Sequence, residues 1–179
     1  MWAKKRALRE KILRRLRRQP ESSRQEKSLA IGFRLFRTRW YRQAQRLLCY
    51  VAIDGEVQTR PILEKALSDG KKVFVPVAAD KARRHMVVAR VKDLEKDLSH
   101  PLRLFSREIP PGALDLILLP GVAFDRKGNR LGRGGGCFDR FLSKVPARVP
   151  RVGLAFKFQV VPRLPREPHD QPVDRVITE

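Results

Sequence analysis

The chain is short of cysteine, aromatic residues, histidine and acid, and each shortage excludes something. Its 179 residues hold two cysteines, Cys49 and Cys137, and no C-x-x-C pair. That is too few for a disulfide scaffold and the wrong spacing for zinc. A reducing compartment fits best. Aromatics make up 7% of the chain, and no strand carries the spaced rings on which single-stranded RNA stacks; a KH-type GXXG loop and a zinc knuckle are also missing. No apolar run approaches the roughly 20 residues of a membrane span. The start, MWAKKRALREKILRRLRR, lacks the apolar core of a secretory signal. With three histidines, no Ser-His-Asp or Cys-His pattern stands out. Acids number 19 against 40 lysines and arginines, a net charge of +21. Residues 1–46 hold 16 lysines and arginines against Glu10, Glu21 and Glu26, which accounts for +13 of it. Such a field favours polyanionic partners and binds nucleic acid without sequence preference. A basic nucleic-acid-binding module is therefore one reading of the chain.

What is present is concentrated in one segment, LPGVAFDRKGNRLGRGGGCFDRFL, from Leu119 to Leu142. The apolar run Leu114 to Leu119 reads as a buried strand that breaks at Pro120-Gly121. A loop follows with Arg126, Lys127, Arg130 and Arg133 among Gly128, Gly132, Gly134, Gly135 and Gly136. It runs into a helical pattern, Cys137 to Leu142. Glycines let backbone N–H groups approach an anion, and arginines add forked donors that match phosphate oxygens. Asp139, directly behind, is placed to hold the cation that accompanies a nucleotide. The alternative is a solvated basic loop. The spacing is neither the Walker pattern, since no GK[ST] closes it, nor the dinucleotide fingerprint.

Elsewhere, Leu8, Ile12 and Leu16 predict a helix over about 3–18, ended by Pro20. Ser23 and Glu26 fit a capping box for a second helix to about Arg39, with Leu29, Phe33 and Phe36 on one side. Strands are expected at Leu47–Ile53, at Val73–Val77 closed by Pro76, and at His85–Val91, the last read as antiparallel. Further strands are expected at Leu114–Leu119, Arg151–Phe156 and Val173–Thr178. A helix from Thr59 and Pro61 to Leu67 stops at Gly70, and 92–113 reads as connection. Strands alternating with helices predict one α/β domain over 1–179: three layers, a Rossmann-like, mostly parallel open sheet with helices on both faces, and basic helices over 1–40. Ligands of such sheets sit beyond the carboxyl ends of strands, where the Asp54–Glu56 turn and the glycine loop could converge.

The pattern PGVAFDxxGxRLGxGxGxxDRxL resembles the signature of the 5-formyltetrahydrofolate cyclo-ligase (methenyltetrahydrofolate synthetase) family. KKRALREKILRRL resembles that family's basic first helix. YVAIDGEVQTRPILEKALSDGKKVFVPV resembles its strand, substrate turn, helix and second strand. EPHDQPVDRVITE resembles its C-terminal acidic motif. The four segments keep the family's order and cover most of the chain.

The resemblance implies ATP-dependent closure of 5-formyltetrahydrofolate to 5,10-methenyltetrahydrofolate, with ADP and phosphate released. The formyl oxygen would attack the γ-phosphate, and N10 would then close the ring. Such chemistry needs positioning and charge neutralisation, not a protein nucleophile. The resemblance makes Arg133 and Arg130 catalytic. It gives nucleotide contacts to Lys5, Arg6, Arg9 and the run Arg130, Leu131, Gly132, Arg133, Gly134, Gly135, Gly136, Cys137 and Phe138. It gives folate contacts to Val51, Glu56 and Phe138. It gives Mg²⁺ to Asp139 with Asp170 or Asp174, which have equal claims. By pattern alone, Lys5 and Arg9 are a solvated helix face, Val51 and Ile53 are strand core, and His169 is structural. One departure stands out. The family commonly has two tyrosines where this chain has Cys137 and Phe138, so another formylated substrate is an alternative. The family also often has lysine where Gly135 stands. A cytoplasmic monomer is expected, with ATP and a reduced folate as partners and no membrane or specific nucleic acid. The arginine-rich start imitates a mitochondrial transit peptide but also carries the matching first helix.

Overall fold

In the computed structural model, residues 2–80, 85–99 and 109–179 are described. Two N-terminal helices, α1 (Trp2–Arg17) and α2 (Glu21–Phe36), precede a short α3 (Arg39–Gln43) and the first strand, β1 (Arg46–Cys49). Then come α4 (Arg60–Ser68), the hairpin strands β2 (Lys72–Asp80) and β3 (His85–Val91), α5 (Leu94–Ser99) and β4 (Leu116–Leu119). The glycine segment contributes β5 (Ala123–Asp125), β6 (Arg130–Leu131) and α6 (Cys137–Leu142). Strands β7 (Arg151–Leu154), β8 (Val160–Val161) and β9 (Arg175–Ile177) complete the chain.

The main sheet has the order β3-β2-β1-β4-β7-β9, with every neighbouring pair parallel except β2 and β3. Its central strands are buried beyond their first residues, β4 throughout, β1 after Arg46 and β7 after Arg151, because both faces are covered. Leu47, Cys49, Leu116 and Leu118 pack with Ile12, Leu16, Ile31, Leu35 and Ile62 of α1, α2 and α4. Leu48, Ile117 and Leu119 pack on the other side with Phe141, Leu142, Val145 and Val149. This is the expected three-layer α/β arrangement.

Several boundaries move, each for a local reason. Helix α2 begins at Glu21 without the Ser23–Glu26 box, because the Pro20 carbonyl accepts from Arg24 N–H at 3.0 Å. It ends at Phe36, short of Arg39. The Thr38 hydroxyl donates to Leu35 O at 2.7 Å and accepts from Tyr41 N–H at 3.2 Å, closing one helix and capping the next. The core face of α2 is Ser28, Ile31, Gly32 and Leu35, while Leu29 and Phe33 are exposed. Gly32 lies on that face against α4, where a Cβ would meet Ile62 at an ordinary contact distance of 3.6 Å. Strand β2 runs on past Pro76; pairing with β1 ends at Phe74, so the missing N–H breaks no β1–β2 bond. The connection over 92–113 contains α5, whose first turn Asp93 caps by accepting from Lys96 N–H at 3.1 Å; positions 100–108 of it lie outside the described residues.

A second sheet, β6-β5-β8, was not legible in the sequence. Buried Asp125 organises it. One oxygen accepts from Lys127 and Asn129 N–H, and the other from the Asn129 amide and Leu164 N–H, at 2.9 to 3.0 Å. Gly128 closes the turn at φ +80°, where a Cβ would lie 2.2 Å from Val173 O. That contact fastens the C-terminal segment to the glycine hairpin.

Candidate active site

From β1 the chain crosses to β2 on one side and later returns to β4 on the other. The crevice between the carboxyl ends of β1 and β4 is thus a topological switch point, where open α/β sheets bind ligands. A cavity of about 370 Å³ lies there, lined by Tyr50, Val51, Ile53 and Glu56 after β1 and by Pro120 and Gly121 after β4. The glycine loop over 130–139, Lys5 and Arg9 of α1, and Glu167, His169 and Asp170 close it.

Val51 and Ile53 follow the end of β1 rather than extending it. They are 39% and 56% exposed, so they are cavity lining and not the strand core their pattern suggested. The Asp54–Gly55 turn has positive φ at both residues, and a Cβ on Gly55 would lie 2.4 Å from Leu16 O. Only glycine lets the end of α1 pack this closely. Glu56 is buried. One oxygen accepts from Ile53 N–H at 3.1 Å, and the other meets Arg133 Nε at 2.9 Å. Arg133 also reaches Asp54 Oδ2 at 3.0 Å and Ile53 O at 3.3 Å. The two loops therefore meet through one guanidinium. Burial raises the Glu56 carboxyl above its ordinary range against the pull of Ile53 N–H and Arg133.

Arg130 is buried. It pairs with Asp139 Oδ1 at 2.7 Å, lies 5.8 Å from the Phe138 ring centroid, and keeps a buried Nε without a partner. Arg9 Nε donates to Gly132 O at 2.8 Å and ties α1 to the loop. Gly134 and Gly136 sit at φ +104° and +65°. Leu131, Gly135, Cys137 and Phe138 line the same cavity, and Cys137 is a free, half-buried thiol.

Lys5 departs from the solvated face that pattern alone suggested. It is buried, with Nζ 2.7 Å from Glu167 Oε2 and 2.5 Å from Asp170 Oδ2. Burial disfavours its charge, but hydrogen bonds and charge from the two acids outweigh that and raise its pKa. Arg6 does not reach the cavity; it pairs with Glu10 at 3.2 Å and covers the Trp2 ring. Nor does Asp174, whose carboxylate accepts from Arg151 N–H at 2.7 Å beside β7. Glu167, beside Asp170 in the EPHD motif, joins the cavity although sequence pattern does not single it out. His169 is exposed at the cavity rim rather than built into the core.

The model of the 5-formyltetrahydrofolate cyclo-ligase family matches residues 1–179. The chain belongs to that family. A probable 5-formyltetrahydrofolate cyclo-ligase of Caenorhabditis elegans is 34% identical over 87% of this chain and 82% of its own length. The 5-formyltetrahydrofolate cyclo-ligase of Mus musculus is 31% identical over 98% and 93%. A 5,10-methenyltetrahydrofolate synthetase of Mycoplasma pneumoniae shares the fold with a TM-score of 0.80 at 22% identity, covering 97% of this chain and 98% of that one. The synthetase of Aquifex aeolicus gives 0.78 at 29% identity, covering 97% and 88%. As a cyclo-ligase family member the protein is an enzyme, an ATP-dependent ligase of folate one-carbon chemistry. Among the described residues, no helix is long and apolar enough to cross a membrane.

The acids of this cyclo-ligase cavity suit a hard cation. Asp139 takes its hydrogen bonds, from Arg130 and Gln171 N–H, on Oδ1. Asp170 takes those from Lys5 and Glu167 N–H on Oδ2. Among the described residues the second oxygen of each accepts no hydrogen bond, and Asp170 Oδ1 lies 3.9 Å from His169 Nε2. Proteins in general bind Mg²⁺ through one or two carboxylates plus water and substrate phosphates.

Proposed function

We propose that this cavity binds ATP and 5-formyltetrahydrofolate together and closes the folate ring. The observation that carries the reading is the meeting of the glycine loop with the β1 turn through Arg133 and Glu56 at 2.9 Å. A nucleotide on the loop and a folate on the turn would share that contact.

The backbone N–H groups of the loop, with Arg9 and Lys5 beside them, receive the triphosphate. Arg130 and Arg133 neutralise the charge that builds on the transferred phosphoryl group. Glu56 accepts from ring N–H groups of the pterin, and Val51, Ile53, Leu131 and Phe138 enclose its faces. The formyl oxygen forms a bond to the γ-phosphorus as the bond to ADP breaks. N10 then attacks the activated carbon, gives up its proton and expels phosphate. Asp139 and Asp170 would hold Mg²⁺, which supplies charge for the phosphate oxygens. This reading takes the whole chain as one catalytic domain, a monomer in the cytoplasm. Loss of both tyrosine hydroxyls at Cys137 and Phe138 favours a second reading, a ligase for another formylated substrate.

The test is spectrophotometric: protein, Mg-ATP and 5-formyltetrahydrofolate at mildly acidic pH, following methenyltetrahydrofolate absorbance. ATP-dependent growth of that absorbance is expected. A flat trace from folded protein that still binds ATP would overturn the substrate assignment.

A further inference from the structure

Helix α1 has two basic faces, and one of them does not serve the cavity. Lys5 and Arg9 point inward with Ile12 and Leu16. On the opposite side Lys4, Lys11, Arg14 and Arg18 are all exposed. Arg18 follows the last helical residue but stays in phase, its N–H bonded to Arg14 O at 3.2 Å. Successive members are seven, three and four residues apart, so they form one stripe. None of them has an ion pair or a side-chain hydrogen bond among the described residues. The one acid on the helix, Glu10, is taken by Arg6.

We propose that this face of α1 binds the phosphate backbone of nucleic acid without reading its sequence. Two features select that partner. At about 1.5 Å per residue the stripe is about 21 Å long, far beyond the reach of one triphosphate, so it fits a polymer. A duplex presents one charge per about 1.7 Å of its axis, so the stripe faces about a dozen. A membrane is disfavoured because an interfacial helix must bury its apolar face in lipid, and Ile12 and Leu16 are committed to the protein core. The stripe carries no aromatic ring. Recognition is therefore of backbone charge, with no base stacking.

The test is fluorescence anisotropy with a short labelled DNA duplex across a salt series, without ATP or folate. Failure here leaves the ring-closure reading untouched. Four phosphate contacts give a slope of about −3.6 in log K against log salt, a loss of about 150-fold between 50 and 200 mM. Lys4→Gln, Lys11→Gln, Arg14→Gln and Arg18→Gln together should remove most of that slope. The smaller pair Lys11→Gln and Arg14→Gln should remove about half of it. A control takes the same charge from exposed Lys72, Lys144, Lys157 and Arg163 and should keep the slope. Equal losses in the stripe and control variants would overturn the proposal in favour of diffuse net charge. So would no binding at low salt, or retention on phosphatidylserine–phosphatidylcholine vesicles with no duplex binding.

Discussion

Asp139→Asn isolates the charge of the Arg130–Asp139 pair. The substitution keeps the side chain's shape and leaves an oxygen for Gln171 N–H. It removes the counter-charge of a guanidinium whose side chain is 3% exposed and whose Nε already lacks a partner. Breaking a buried pair from one side typically costs 3 to 5 kcal/mol, because the remaining charge stays desolvated. Asp139 is 17% exposed and Asn still offers a neutral acceptor, so about 3 kcal/mol is expected. For a chain of this length that lowers Tm by about 6–12 °C. The assay is thermal unfolding in buffer free of metal and nucleotide, so that any role in holding Mg²⁺ does not enter. Arg130→Met combined with Asp139→Asn should recover much of the loss, since no buried charge remains. A Tm within about 2 °C of the parent for Asp139→Asn, or a double variant no more stable than the single, would refute the reasoning.

Arg133→Lys keeps the charge but loses the fork that reaches Glu56, Asp54 and Ile53 together. Initial rates should fall by about 100-fold or more, with little change in Tm; a near-normal rate would remove Arg133 from the site. Asp125 sets an acid limit on stability. Burial opposes its charge, but hydrogen bonds from Asn129, Leu164 and Lys127 prevail and hold its carboxyl below the usual 3.8. Its contribution is full above the ordinary carboxylate range and is lost as pH falls through the lower folded value. Asp125→Asn should therefore lower Tm at neutral pH and flatten its decline in acid, measured by melts across pH. Gly128→Ala puts a Cβ 2.2 Å from the Val173 carbonyl, whereas Gly70→Ala, at nearly the same φ, meets nothing within 4 Å. Both incur left-handed strain of about 1 kcal/mol or more. The first should lose several degrees of Tm beyond the second, and equal melts would deny that the hairpin holds the C-terminal segment.

What the sequence disclosed follows the range of the interactions. Strand β4 is an unbroken apolar run, the apolar start of β1 at Leu47 was legible, and α6 was legible from Cys137 to Leu142, because local pattern decides them. The burial of Lys5 is decided by partners 162 and 165 residues away, so a helical repeat showed merely a basic face. The choice between Asp170 and Asp174 hangs on strand register. Pairing of Val152 with Arg175 carries Asp174 to the Arg151 amide, while Asp170 stays with the cavity. Charge behaves in the same way. The chain carries +21, yet within the cavity Lys5, Arg9, Arg130 and Arg133 face Glu56, Asp139, Glu167 and Asp170, one acid for each cation. Net charge therefore does not make the site. There, acids hold Lys5, Arg130 and Arg133 in place, and the Gly132 carbonyl holds Arg9; on the proposed reading, donor geometry and not net charge does the selecting. The excess lies outside it, on surfaces such as the outer face of α1, where among the described residues no acid pairs with Lys4, Lys11, Arg14 or Arg18, and where the proposed partner would be drawn by long-range attraction.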